Sequence, residues 1–552
     1  MRRVLVLGGY GTFGGRIVRL LAAQRRFAIV VAGRSPARAE AFARSLGDPA
    51  VTAAALDRDT ADAAALRRHE PWLVIDASGP FQGEAALAYP IVRAAMEVGA
   101  HYIDIADALD FVAGIDRFDA QARAAHLTVI AGASSVPTLS SAVIAELARD
   151  FDALLEVEIA ISSSNQASLG RSVNAALLSY AGKPIRVRRF GLWRKVAALQ
   201  DWQSVDIEVP GRAPLVARLV APCEVPDLAL LPVRYPGLRK AMFRAGTELP
   251  ILNRGSGALA RLVAWGLLPS LAPLTGLAGR AFALLRRFGG KRSGMIVDLR
   301  GRRGAGFVAR RWSVLAEEGD GLWIPGMAAA LLAGKLDRGE VEPGARPGLG
   351  VLDLADFRAL FAGRAITDAA TERWVPPSPF RHWIGAGVDR LPPAIRAIHD
   401  DPFERSASGT VTVTRGTHPV ARLMCRLLGF PESVSDRPLT VEFEPHEKDE
   451  IWRRRFGTST FETRLRPWPG RAGHMRECVG PLAYGFQLET GPEGLVMHFR
   501  RWWFGGIPLP AALGPRVAAR QWQEGDDYCF LVDVSGPGIG RVVAYRGRLR
   551  LN

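Results

Sequence analysis

The stretch Arg3-Val4-Leu5-Val6-Leu7-Gly8-Gly9-Tyr10-Gly11-Thr12-Phe13-Gly14 decides how the chain begins to fold. A short apolar run ending at glycines reads as a parallel strand buried on both faces. Within the glycine segment, Gly9, Gly11 and Gly14 satisfy G-x-G-x-x-G, and Ile17, Leu20 and Leu21 then fall on one face of a helix. A strand, a glycine turn and a helix in this order form a dinucleotide-binding unit. The turn needs unusual dihedrals, the backbone must approach a pyrophosphate closely, and the helix N-terminus offers free N–H groups to the phosphates. The whole loop, Gly8, Gly9, Tyr10, Gly11, Thr12, Phe13 and Gly14, is therefore assigned to cofactor contact.

The next strand, about Ala28 to Ala32, ends in Gly33-Arg34-Ser35, with Arg38 one turn on. An NAD site places a carboxylate at this point to bind the ribose 2′-hydroxyl. Here no carboxylate is present. Arg34 and Arg38 supply positive charge for a 2′-phosphate, and Ser35 supplies a hydroxyl. The expected cofactor is NADP(H).

Strand-like runs recur at Val51 to Leu56, ending at Asp57, then at Trp72 to Ala77, His101 to Asp107 and Leu127 to Ala131. Their alternation with helical stretches predicts an α/β doubly wound parallel sheet. Ligands of such sheets bind beyond the strand carboxyl ends. That places Asp57, the loop Ser78-Gly79-Pro80-Phe81, and Ser134 and Ser135 among the cofactor contacts. Tyr102, Asp104 and Asp107 lie at the same end and are the catalytic candidates, since hydride transfer often needs one proton donor or acceptor.

These motifs, in this order and spacing, resemble the saccharopine-dehydrogenase-like NADP-binding oxidoreductases over about residues 1–140. The likeness continues more loosely to about residue 365, through Arg234-Tyr235-Pro236-Gly237 and Trp323-Ile324-Pro325. The resemblance implies a Rossmann domain over 1–135, a second α/β (α+β) substrate domain over 136–370, and nicotinamide-dependent hydride transfer. It leaves the substrate open, because members of this fold act on amino acids, polyamines and lipids. Residues 378–552 resemble an uncharacterised domain appended to bacterial members, through Leu391-Pro392-Pro393 with His399, Trp452-Arg453-Arg454-Arg455-Phe456, Glu477-Cys478-Val479-Gly480-Pro481 and Pro508-Leu509-Pro510.

In the second domain, Ser172 and Asn174 at a helix start are candidate substrate contacts. After Pro376-Pro377-Ser378-Pro379 the pattern turns to short strands with glycine and proline turns, and a β-rich domain is expected, a sandwich or a half-open barrel around one helix at Val420 to Leu428. The tryptophans there are expected to be core.

Composition narrows the partners. The 552 residues carry net charge +16, but the arginines are scattered and no nucleic-acid-binding motif appears, so nucleic acid is not an expected partner. Four distant cysteines form no CxxC pair, which argues against a metal site and for a reducing, cytoplasmic compartment. Residues 262–279 hold no charge but are broken by Pro269 and Pro273, so two short apolar helices within 257–288 are expected instead of one membrane span. They are a candidate peripheral membrane contact, and a homodimer is a further expectation. Taken together, the sequence points to an NADP(H)-dependent oxidoreductase of a small or lipid-like metabolite. The alternative is a non-catalytic NADP-binding protein whose C-terminal domain binds a lipid or a protein.

Arg34→Ala tests the cofactor reading. Loss of charge-assisted hydrogen bonds is worth roughly 1.5–3 kcal/mol, so NADPH affinity should fall about tenfold or more with NADH affinity little changed. Titration of both by nicotinamide fluorescence measures this.

Overall fold

A computed structural model describes the chain except residues 167–170, 428, 431, 458, 511 and 513. It divides into two units, one of residues 1–187 and 194–373, the other of 188–193 and 374–552.

The first unit begins with six parallel strands: β1 (Arg2–Leu7), β2 (Phe27–Gly33), β3 (Val51–Ala55), β4 (Leu73–Asp76), β5 (His101–Asp104) and β6 (Thr128–Ala131). On β1, Val4 and Val6 enter one core while Leu5 and Leu7 enter a core on the opposite face. Helices cover both faces, so Val4 to Leu7 are all buried and the run reads as continuously apolar.

Ten further strands complete this unit. They are β7 (Ala153–Ser163), β8 (Pro184–Arg189), β9 (Leu192–Ala197), β10 (Gln203–Ile207), β11 (Leu215–Pro222), β12 (Lys240–Thr247), β13 (Ser293–Arg303), β14 (Gly306–Ala316), β15 (Gly344–Pro347) and β16 (Ile366–Trp374). Nine of these make a mixed sheet with the path β10-β11-β12-β7-β13-β14-β16, and β8 pairs β12 and β9. The tenth, β15, joins the first sheet beside β6, giving the order β15-β6-β5-β4-β1-β2-β3. Helix Ile324–Asp337 also belongs to that layer: a Cβ on its Gly326 would meet Ile17 at 3.0 Å, and Gln24 donates to the Ala330 carbonyl at 3.0 Å. The Rossmann unit thus draws its last strand and a helix from beyond residue 320. Four residues ending in Pro347 give no periodicity from which to foresee this.

The apolar stretch forms helices Pro250–Ala264 and Thr275–Leu285 with Pro269 and Pro273 between them. Among the described residues no helix is long and apolar enough to cross a membrane.

The second unit carries β17 (Arg405–Arg415), β18 (Val434–Pro445), β19 (Glu450–Phe456), β20 (Ser459–Pro467), β21 (His474–Val479), β22 (Leu482–Gly491), β23 (Gly494–Phe504), β24 (Ile507–Leu509), β25 (Arg516–Glu524), β26 (Asp527–Gly536) and β27 (Gly540–Leu551). Each strand pairs antiparallel with the next except that β25 skips β24 to pair β23, and β27 returns to β17. Ten strands therefore close into an up-and-down barrel with β24 as an appendage, in place of the expected sandwich or half-open barrel. Closure depends on strands that the residue pattern hides. On β19, Trp452, Arg454 and Phe456 are buried, so an arginine stands where a core residue is expected. The helix in the series runs Pro419–Leu427, and Leu428 lies outside the described residues. Trp452, Trp468 and Trp503 are buried, and a cavity of about 60 Å³ remains inside the barrel. This is room for a few waters, so the aromatic side chains act as core.

One buried ion pair ties the barrel to the segment before it. Arg405 donates to Glu450 at 2.7 Å and to the carbonyls of Ile398, Asp401 and Phe403, while Trp452 Nε1 donates to the other Glu450 oxygen at 2.7 Å. Both charges are essentially inaccessible. Nearby, His399 packs on Phe380 with ring centres 3.9 Å apart and bonds Gln521 at 2.6 Å. Removing one member of a buried pair leaves the other uncompensated, at a cost of about 3–5 kcal/mol. Arg405→Met is accordingly expected to lower the denaturant midpoint of the barrel transition, followed by tryptophan fluorescence, whereas substituting exposed Arg548 should leave it within error.

Candidate active site

The glycine loop lies at the carboxyl end of β1. Gly8 has φ +71°, and a Cβ there would stand 2.8 Å from the Ala77 carbonyl oxygen. A Cβ on Gly14 would stand 2.1 Å from the Gly8 oxygen, which no relaxation of side chains relieves. The loop is thus pressed against its own helix, Gly14–Ala23, leaving the helix N-terminus bare toward the strand ends. This is a cradle suited to a pyrophosphate. Tyr10 ties it to the exit of β2: the Ser35 N–H donates to its hydroxyl at 3.0 Å, its ring covers Gly33, and the Arg38 guanidinium lies 4.9 Å from the ring centre. Ser35 Oγ accepts the Arg38 N–H at 3.4 Å and caps the next helix. Arg34 and Arg38 are exposed. The residues expected to hold the 2′-phosphate are therefore neighbours of the glycine loop. Asp57 lies one strand further along, its side chain accepting the Asp59 N–H.

At the ends of β4 and β5, two buried carboxylates hold the loops. Asp76 accepts from Ser78 N at 2.9 Å and pairs with Arg58 at 2.8 Å. Arg58 also donates to the Pro80 carbonyl at 3.2 Å and lies over Phe81 at 4.6 Å. Ser78, Gly79, Pro80 and Phe81 are held in one conformation by these contacts. Gln82 reaches across to Asp107 at 3.1 Å. Asp104 accepts the N–H groups of Ala106 at 2.9 Å and Gly132 at 2.7 Å through one oxygen, joining the exits of β5 and β6. Burial pushes its carboxyl up to about 7, against the pull of those two N–H groups. Tyr102 is buried beside it, and burial holds its phenol well above the usual value. Ser134 and Ser135 are half-buried after β6, and among the described residues neither hydroxyl has a hydrogen-bond partner.

Of the three catalytic candidates, Asp107 is the one beside the second layer. Tyr180, at the end of helix Arg171–Tyr180, feels Cys223, Asp107 and Glu224. Burial raises its phenol well above the usual value, and these neighbours add to the rise. Burial likewise raises Asp107, and it raises Glu224, with Asp110 adding to the latter. Cys223 is buried and pushed up to about 12, so it stays a thiol and is no nucleophile. Tyr180 thus lies within electrostatic reach of Asp107 and Glu224 near the carboxyl end of β5, and burial raises the proton affinity of all three. Arg58, Gln82, Tyr180 and Glu224 carry no motif. The only sequence signal was a strand end, and for Tyr180 and Glu224 the partners lie some 70–120 residues away. Ser172 and Asn174 sit at the start of the same helix as Tyr180, and their side chains lie outside the described residues.

Residues 4–130 match the family described as the saccharopine dehydrogenase NADP binding domain. The N-terminal domain is of that type. Its cofactor is NADP(H). Residues 391–549 match a domain of unknown function, DUF4166. No curated protein matches the chain. Among solved structures, biliverdin reductase from Synechocystis sp. PCC 6803, with biliverdin and NADP+, is 15% identical at TM-score 0.30, over 64% of this chain and 94% of its own. Gre2 from Candida albicans, with NADPH, is 14% identical at TM-score 0.17, over 19% of this chain and 36% of its own. The chain spans about a third of the length of this protein and of the yeast methylglyoxal/isovaleraldehyde reductase Gre2, 36% in each case.

In the saccharopine dehydrogenase NADP binding domain, Asp104 makes a stability test. The folded carboxyl keeps a proton to about pH 7, whereas an unfolded aspartate loses it near pH 3.9. This group's contribution is full below the lower value and is lost as pH rises through 7. Asp104→Asn keeps the acceptor and removes the titration. The urea midpoint of the first unit should fall less between pH 5 and 8 in the variant than in the wild type.

Proposed function

We propose that residues 1–373 carry an NADP(H)-dependent oxidoreductase activity, with hydride transfer to or from a small or lipid-like metabolite. The reading rests chiefly on one observation: Tyr180 lies within electrostatic reach of Asp107 and Glu224, all three with raised proton affinity, near the carboxyl end of β5, where an open α/β sheet binds the reacting half of its ligand.

The glycine loop and the helix N-terminus would hold the pyrophosphate, with Arg34, Ser35 and Arg38 around the 2′-phosphate. Bound NADPH supplies a hydride to an electrophilic carbon. The chain's own part is to deliver the matching proton to the adjoining atom, so that a double bond gains one hydride and one proton. Asp107 is oriented for this by Gln82. Tyr180 feels both Asp107 and Glu224, and burial raises the proton affinity of all three. Oxidation would run the same step backward, the deprotonated group then accepting the proton.

Two variants test this. Loss of a general acid costs about 10²–10⁴ in rate. Glu224→Gln and Tyr180→Phe are expected to leave the NADPH dissociation constant within about twofold. At least one should cut kcat by that factor, with turnover found by incubating metabolite extract with NADPH and reading products by mass spectrometry. Saturable NADPH binding with no product in any extract would favour the non-catalytic alternative. No saturable binding would defeat both readings.

A further inference from the structure

Segment 250–288 carries two chemically different faces. The inner face of helix Pro250–Ala264 is a stripe of Asn253, Gly257, Ala260 and Val263, all buried. It is fixed in place. Asn253 accepts from Thr247 at 2.8 Å and donates to the Leu219 carbonyl at 3.2 Å, and Gly257 lies so close to Trp202 that a Cβ would approach its Nε1 to 2.4 Å. The outer face is unusually apolar. Ile251, Trp265, Leu267, Leu277, Leu284 and Phe288 are each 62–67% exposed. Leu277, Leu284 and Phe288 are seven and four residues apart, which puts them on one stripe. Exposed large apolar side chains are ordinary singly, but six within 38 residues mark an interaction surface.

The charge pattern selects the partner. Between Leu249 and Val297 there is no Asp or Glu, and 250–288 holds Arg254, Arg261, Arg280, Arg286 and Arg287. Among the described residues none of the five forms an ion pair. A second copy of this chain fits poorly, because an isologous interface would set the same five cations against themselves. Helices of 15 and 11 residues with prolines between them are too short to span a bilayer and are suited to lie on one.

We propose that 250–288 is a peripheral membrane anchor that seats on an anionic lipid surface, with Trp265, Leu277, Leu284 and Phe288 in the headgroup–acyl boundary and the arginines on lipid phosphates. The anchoring is independent of the catalytic proposal and is read without turnover.

The test is co-sedimentation of the full-length protein with vesicles of phosphatidylcholine alone or with 30% phosphatidylserine, at 50 and 500 mM salt. Binding is expected to the anionic vesicles at low salt, weaker at high salt and weak to neutral vesicles. Each arginine at such a surface is worth roughly a fivefold change in partition. Arg280→Gln/Arg286→Gln/Arg287→Gln should therefore bind about a hundredfold less. Trp265→Ser/Leu277→Ser/Leu284→Ser should lose binding at both salt levels, because the apolar contribution is not screened. NADPH affinity equal to wild type certifies that each variant is folded. Absence of wild-type binding, or binding unchanged in both triple variants, would overturn the proposal. So would a dimer in light scattering that the apolar variant dissolves, since the face would then be covered by a second copy.

Discussion

Position 14 has no room for a side chain, because the carbonyl of Gly8 occupies the space a Cβ would take. That contact sets how far the first helix sits from the first strand, and much of the N-terminal domain is arranged around it. Tyr10 can then fold down on Gly33, and Ser35 can then donate to its hydroxyl. The helix is also brought within reach of Gly326, itself lacking a Cβ where Ile17 approaches. Close packing between backbones, allowed by glycine, fixes the geometry of a phosphate cradle before any charged side chain contributes.

The two carboxylates at the ends of β4 and β5 solve one problem in two ways. Each is fully buried. Asp76 is balanced by Arg58, whose guanidinium also pins the loop that follows. Asp104 forms no ion pair among the described residues, and it takes two main-chain N–H groups and a raised proton affinity instead. Adjacent strand exits are therefore held by an ionic clamp and by a clamp that titrates. The loops that follow are thus tied back to the sheet by side chains as well as by the main chain.

What could be read from residues alone follows the range of the interactions involved. Strands β1 to β6 were legible because strand, turn and helix are neighbours in sequence, and because burial on both faces makes the apolar runs continuous. The nucleotide end was legible for the same reason, since Gly8 to Gly14 and Arg34 to Arg38 each lie within one turn. The barrel was only partly legible. Arg454 stands inside it, bonded to Thr463 at 2.9 Å and to Glu477 at 3.3 Å, and a charge at an inner position breaks the alternation that marks a strand. An up-and-down barrel closes only when every strand is present, so one hidden strand leaves the closure unforeseen. Tyr180 was illegible because nothing in the residues around it indicates that it comes near Asp107 and Glu224.

The strand β15 gives the first sheet an unusual history. Its partner β6 ends at Ala131, and β15 begins at Gly344. At roughly 5–20 residues per second of synthesis, about 210 residues take on the order of 10–40 s. For that interval β6 has been made and the strand that pairs its outer edge has not. The NADP-binding module is contiguous as a sequence motif, but it is not contiguous as a folding unit. Its last strand is made only after every strand of the second sheet but β16.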